Sequence, residues 1–132
     1  NIILDPTLPI KITKPVVVGG GWKPGWSTDY DAVMLGKQLG AKKIINLSNI
    51  DYAYDKDPNK YPDAKKIETI SWADYRMLIP KEWNPGLNSP FDPVASKLAE
   101  ENNIEVAIMN GRPISNLANY IKGEKFLGTI IK

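Results

Sequence analysis

At 132 residues, with 42% apolar and 24% charged side chains, the chain has the makeup of a soluble globular protein large enough for one domain with one core. A net charge of +2 and scattered lysines, with Lys42-Lys43 and Lys65-Lys66 the only doublets, exclude a broad electrostatic footprint for nucleic acid, and no apolar run approaches a membrane span. Cysteine and histidine are both absent, which excludes disulfides, thiolate and the usual zinc sites, and Ser-His-Asp chemistry.

Asn1 to Ile10 reads as an extended segment. Its opening on asparagine is what a processed end, or a fragment cut from mid-protein, is expected to show. Lys14-Pro15 introduces a β-branched strand, Val16–Val18, which feeds the run Gly19-Gly20-Gly21-Trp22-Lys23-Pro24-Gly25-Trp26-Ser27-Thr28-Asp29. Glycines let a backbone approach a ligand closely and take positive φ, and free N–H groups at a helix start meet an anion at the favourable end of the dipole. Strand, turn and helix start therefore read as a phosphate site, or as a βα corner in which Ser27 or Thr28 only caps the helix. Trp22 and Trp26 either pack a nucleobase or shield the loop. Asp29 either engages Mg2+ or orients a lysine beside a phosphate, or is a first-turn acid favoured by the dipole.

A helix is expected from Thr28 to Leu39, with Ala32, Val33, Leu35, Gly36 and Leu39 spaced for one apolar face and Gly40 as its stop. Lys43–Leu47 is a short strand. Ser48–Pro58 is polar and ends in proline, which predicts a loop or irregular hairpin. Its Asp51, Asp55 and Asp57 do not make an EF-hand, because Lys56 and Pro62 stand where that pattern needs glycine and glutamate. Lys65–Ile70 reads as an edge strand. Ser71 caps a helix running to about Ile79, with Asp74 as the capping-box acid, and Pro80–Pro90 is a loop whose Pro, Gly and Asn make it a candidate flexible element. Pro93–Asn102 is a helix carrying Val94, Leu98 and Ala99 inward, and Ile104–Met109 a buried-type strand. Ser115 caps a helix to Lys122 that Gly123 ends, and Gly128–Ile131 is the last strand.

Strands alternating with helices predict an α/β fold with a largely parallel sheet, as a single domain over residues 1–132. Ligands gather in such sheets where strands end and helices begin. The Gly19–Asp29 loop and the Ser48–Pro58 segment are thus expected on one edge of the sheet, one holding an acceptor phosphate and the other a nucleotide. Phosphoryl transfer suits a chain without histidine or cysteine, because it relies on positioning and charge stabilisation more than on proton shuttling. The missing export signals and cysteines point to the cytoplasm.

These segments resemble a known family. Gly20-Gly21, Pro24-Gly25 and Ser27-Thr28-Asp29 are similar to the acceptor-phosphate loop of archaeal-type uridylate (UMP) kinases, members of the amino-acid-kinase superfamily. Ser48-Asn49-Ile50-Asp51, Tyr54 and Asp57-Pro58 resemble their adenine-nucleotide segment. Phe91-Asp92-Pro93-Val94-Ala95-Ser96-Lys97 resembles their I-D-P-L-A-A-K helix motif, and Asn110-Gly111-Arg112 through Gly128-Thr129-Ile130 follows their close. The resemblance implies a three-layer αβα sandwich with a mainly parallel sheet, of which this chain is the C-terminal, ATP-binding half. It implies Mg2+ with ATP as phosphoryl donor, UMP as acceptor, UDP and ADP as products, and a homohexamer.

Carried over by that resemblance, Trp22, Lys23, Pro24, Gly25, Trp26, Ser27 and Thr28 would line the UMP site, and Ser48, Asn49, Tyr54 and Asp57 would hold ATP. Asp29 would organise lysine and metal charges, with Asp92 and Lys97 in the same network; the metal's own ligands stay unassigned. Trp22 stands where the family has threonine, and Tyr52 where it has glycine, so positive φ is not expected at Tyr52. The family's upstream lysine and Gly-Gly-Ser loop are absent, as expected of a fragment lacking the N-terminal catalytic half. Two alternatives stay open: a kinase for another small phosphate acceptor, such as a different nucleoside monophosphate or isopentenyl phosphate, and a non-catalytic nucleotide-binding or regulatory module.

Overall fold

The computed structural model describes residues 2–82 and 89–132. In chain order these form β1 (Ile2–Ile3), β2 (Val18–Gly19), α1 (Thr28–Gln38), β3 (Lys43–Ser48), β4 (Ala53–Tyr54), β5 (Lys66–Ile67), β6 (Thr69–Ile70), α2 (Trp72–Leu78), α3 (Pro93–Glu101), β7 (Glu105–Asn110), α4 (Ile114–Lys122) and β8 (Thr129–Ile131). The centre is a four-stranded sheet in the order β3-β7-β8-β6. β3 and β7 run parallel from Lys43 opposite Glu105 to Ser48 opposite Asn110, and β6 is parallel to β8.

The pairing of β7 with β8 is antiparallel, so the sheet is mixed. The cause lies in Asn116, in the first turn of α4. Its side chain donates to the carbonyl of Leu127 and accepts from the Leu127 N–H, both at 2.7 Å. The chain after Gly123 is thereby folded back along α4, and β8 starts at the end of the sheet where β7 stopped. A crossover that released the chain at the far end of the helix would have made β8 parallel.

Helices cover both faces. Val33, Trp72, Tyr75, Phe91, Ala95 and Ala99 pack with Val106, Ile108 and Ile131, so α1, α2 and α3 share one face. On β7 the alternate residues Ala107 and Met109 are also wholly buried, while α4 meets β7 without entering that cluster. β7 is therefore sandwiched, and reads as the continuous apolar run that double burial demands. The layering is helix, sheet, helix.

Local signals set most boundaries. Ser27 accepts from Tyr30 N–H at 3.1 Å, Ser71 from Asp74 N–H at 3.1 Å, and Asp92 from Ala95 N–H at 2.7 Å with Pro93 opening the helix. Gly123 closes α4 at φ 75°, and Tyr52 avoids positive φ as expected. Other expectations are corrected. Ser115 caps nothing: the Pro113 carbonyl already accepts from Asn116 N–H, which starts α4 at Ile114. Val94 faces outward because α3 turns Ala95, Ser96 and Ala99 to the core, and Leu39, past the last turn of α1, is exposed. The Val16–Val18 run stays out of the main sheet: only Val18 and Gly19 pair, with Ile2 and Ile3, and Val16 and Val18 are exposed. A β-branched run specifies an extended backbone, not its partner. Lys65–Ile70 divides at Glu68, β5 joining the β4 hairpin and β6 the main sheet. Most of the expected Pro80–Pro90 flexible loop lies outside the described residues.

Candidate functional site

Between β2 and α1 the glycine loop is held at few points. Gly19 packs so closely on α1 that a Cβ there would lie 2.8 Å from Leu35 Cδ1, and Gly25 alone in the loop takes positive φ, at 92°. Gly20 N–H donates to the Ile3 carbonyl at 3.2 Å, and Trp26 N–H to the Lys23 carbonyl at 3.3 Å. A Cβ on Gly20 or Gly21 would meet nothing, so that stretch of backbone is open to a ligand. The aromatic rings stack on one another, Trp22 to Trp26 at 5.7 Å and Trp26 to Tyr30 at 4.2 Å, with Lys23 Nζ 3.8 Å above Trp22. Of the two sequence readings, this stacking favours shielding over an open slot for a base.

Asp29, one residue into α1, ties three elements together. Its Oδ1 accepts from Asn46 Nδ2 on β3 at 3.1 Å, and its Oδ2 accepts from the N–H of Asp92 at the head of α3 at 3.0 Å. Burial raises the Asp29 carboxyl above its ordinary pKa, opposed by the hydrogen bond from Asp92. Asp29 and Asp92 are thus brought together, with Asp92 contributing its backbone while its carboxylate caps α3. Lys97 is not brought to them. Its side chain is exposed on α3 and pairs with Glu101 at 3.9 Å.

Ser48, Asn49, Tyr54 and Asp57 line one cavity of about 530 Å³. It lies at the C-terminal end of β3, two residues past Asn46, to which Asp29 is bonded. The glycine loop follows β2, which pairs only with β1, so the two segments are linked through the Asp29 bond and not as neighbours on one edge of a single sheet. Asn110 Nδ2 donates to Asp51 Oδ1 at 2.9 Å, pinning the first bend of the cavity loop to the end of β7. Asp57 accepts from Asn59 N–H at 2.9 Å and turns the chain at the rim. The opposite wall comes from Tyr75 and Ile79 of the α2 end and from Pro80 and Ser89, at the two described ends of the expected flexible loop; the sequence assigned none of the four to a ligand. Tyr75 is buried, donates to the Phe91 carbonyl at 3.4 Å, and has its phenol pushed far above the usual range by that burial. Only its place near the end of a helix before Pro80 hinted at a ligand wall.

Residues 14–110 match the amino acid kinase family. The chain belongs to that family. It is 38% identical over 114 residues to a uridylate kinase of Methanobrevibacter smithii, which covers 86% of this chain and 51% of the relative. Among solved structures it is similar to the uridylate kinase of Archaeoglobus fulgidus, with a TM-score of 0.71 and 31% identity over 88% of this chain and 51% of that one. The UMP kinase of Bacillus anthracis has the same fold, with a TM-score of 0.73 at 22% identity over 88% of this chain and 45% of that one. The chain thus spans about half the length of the relatives it matches. No helix among its described residues is long and apolar enough to cross a membrane.

Proposed function

We propose that this chain is the C-terminal, ATP-binding half of a UMP kinase, working as one domain in a cytoplasmic homohexamer. The observation that carries the reading is the convergence of Ser48, Asn49, Tyr54 and Asp57 on a single cavity whose edge adjoins the Asp29 tie. In this reading the cavity takes ATP, and the loop from Trp22 to Thr28 takes the phosphate of UMP at the start of α1. An ionised oxygen of that phosphate attacks the γ-phosphorus in line, the bond from γ-phosphorus to the bridging oxygen breaks, and ADP leaves. The attacking oxygen carries no proton, so no histidine base is needed.

Asp29 would hold the acceptor side and the donor side in register, since it is bonded to both β3 and α3. Mg2+ beside nucleotide phosphates takes only one or two protein carboxylates, and Asp29, whose oxygens each accept one hydrogen bond, retains lone pairs for such a contact. When bound, the ion supplies charge stabilisation to the phosphates. Lys97 would join by leaving Glu101, a pair between exposed side chains that costs little to break.

A kinase for another small phosphate acceptor is the second reading, favoured by the bulk of Trp22 in the loop. ADP release from MgATP with UMP, CMP, AMP or isopentenyl phosphate separates the two. The assay is run on the chain alone and on the chain supplemented with the part of a uridylate kinase that it does not span. Turnover with UMP above the other acceptors supports the first reading. Turnover with another acceptor supports the second, and a folded, reconstituted sample without any turnover leaves a non-catalytic nucleotide-binding module.

A further inference from the structure

Asp31 is an unusual presence on the buried face of α1. It is 4% exposed. Its Oδ2 accepts from the backbone N–H of Trp22 at 2.9 Å, while its Oδ1 is buried and has no hydrogen-bond partner among the described residues. A carboxylate taken out of water with half its acceptors unmet is costly. Two residues earlier, Asp29 satisfies both oxygens. Asp31 does not serve the helix either, because Ser27 already supplies the cap.

What Asp31 does hold is the loop. From Gly20, bonded to Ile3, to Lys23, which accepts from Trp26, the one other hydrogen bond anchoring the described backbone is the bond from Trp22 to Asp31. Gly20 and Gly21 contribute no side-chain packing of their own. The anchored residue is also the one whose ring begins the stack through Trp26 to Tyr30. A charged acceptor makes a shorter and stronger bond to an N–H than a neutral one, and the N-terminal end of α1 offsets part of its charge. The clasp also commits the Trp22 N–H, so a phosphate in the loop must be met by other N–H groups. Loop shape is then set before a ligand arrives.

We infer that Asp31 is a positioning residue, which fixes the glycine loop through the Trp22 backbone and thereby sets affinity for the phosphate acceptor without touching it. The inference rests on the reading of this loop as the acceptor site. Its test compares the parent chain with Asp31→Ala and Asp31→Asn, the second keeping an oxygen that can accept from Trp22 N–H. Amide hydrogen exchange at Trp22 reads the clasp; calorimetric titration with UMP and with MgATP, each protein supplemented with the part of a uridylate kinase that it does not span, reads the two sides of the site.

Asp31→Ala is expected to speed Trp22 exchange and weaken UMP binding, each by about tenfold or more, with MgATP affinity unchanged. Asp31→Asn is expected to restore both to within about threefold of the parent. Unchanged Trp22 exchange in Asp31→Ala overturns the clasp. So does a parallel loss of UMP and MgATP affinity with a lowered melting temperature, which marks a merely structural residue. If Asp31→Ala does not fold, Asp31→Asn decides: parent-like exchange and UMP affinity support the inference, and a tenfold loss of either refutes it. If the parent chain binds no UMP while Trp22 exchange still answers to Asp31, the acceptor reading of the loop falls, and the role in binding falls with it.

Discussion

Replacing Asp29 separates its charge from its hydrogen bonds. Its carboxylate accepts from Asn46 Nδ2 at 3.1 Å and from Asp92 N–H at 3.0 Å. Asp29→Ala strips both part-buried donors of their partner, at about 1–2 kcal/mol each. The expected loss is about 2–4 kcal/mol, or roughly 10 °C in melting temperature for a chain of this size. Asp29→Asn keeps an oxygen for Asp92 N–H, and its amide can donate to Asn46 once that side chain turns over. It also removes a carboxylate that burial disfavours, so its stability at pH 7 is expected within about 1 kcal/mol of the parent, with turnover lost. The pH dependence has a definite sign. Because burial raises the folded pKa of Asp29 above 3.8, the folded state holds the proton more tightly than the unfolded chain. Its contribution to stability is therefore largest below the unfolded value and is lost as pH rises through the folded one. Acidification should thus improve the parent relative to Asp29→Asn. Urea denaturation of all three proteins at neutral and acidic pH, with turnover measured in parallel, tests the set. A stable Asp29→Ala, or an Asp29→Asn that falls as far, would refute the tie; an Asn advantage that grew on acidification would refute the charge argument.

Three further substitutions probe the frame around the site. Thr129 is buried, accepts from Ala53 N–H at 2.9 Å and donates to the Ile67 carbonyl. Thr129→Val should therefore cost about 1–3 kcal/mol in urea denaturation, and also weaken nucleotide binding, because Ala53 and Ile67 form a rung of the hairpin that carries Tyr54. Gly25→Ala forces a side chain onto φ 92° and should cost about 1–2 kcal/mol, with UMP binding weakened more than MgATP binding. Ser71→Ala removes the α2 cap, 3.1 Å from Asp74 N–H, and should cost about 1 kcal/mol while both ligand affinities, measured by titration, stay at the parent's.

Much of this frame is legible in the chain because it rests on local chemistry. The β-branched and apolar runs of β3 and β7, the caps at Ser27 and Ser71, Pro93 after Asp92, and Gly123 in the left-handed region all act within a few residues of themselves. The reversal of β8 is not of that kind. It depends on Asn116 meeting Leu127 across a turn, and nothing in the composition of β8 fixes its direction. The partners of Asp29 lie 17 and 63 residues away, so sequence could mark the acid but not what it holds. The far wall of the cavity is ordinary helix and loop whose role comes only from where α2 ends. Asp31 did leave a signal: an acid one turn before Leu35, on the face that α1 buries, needs a partner.

Asp29 and Asp31 together explain how one helix start can govern a loop, a strand and a second helix. Residues two apart on an α-helix project about 200° apart, so the two carboxylates leave α1 on nearly opposite sides. One reaches β3 and the head of α3, the other the glycine loop. Both lie where the dipole of α1 favours negative charge, which offsets part of the cost of burying them. In two of the three ties that the carboxylates make, a backbone N–H is the partner: Asp92 N–H to Asp29 and Trp22 N–H to Asp31. Side-chain replacement at Trp22 or Asp92 would therefore leave the ties standing, whereas replacement of either α1 acid would release its own segment. The loop and the head of α3 should then loosen independently: Asp31→Ala raising amide exchange at Trp22 alone, Asp29→Ala at Asp92 alone. Coupled loosening of both by either variant would show that α1 itself had shifted, and would refute the picture of two separate ties.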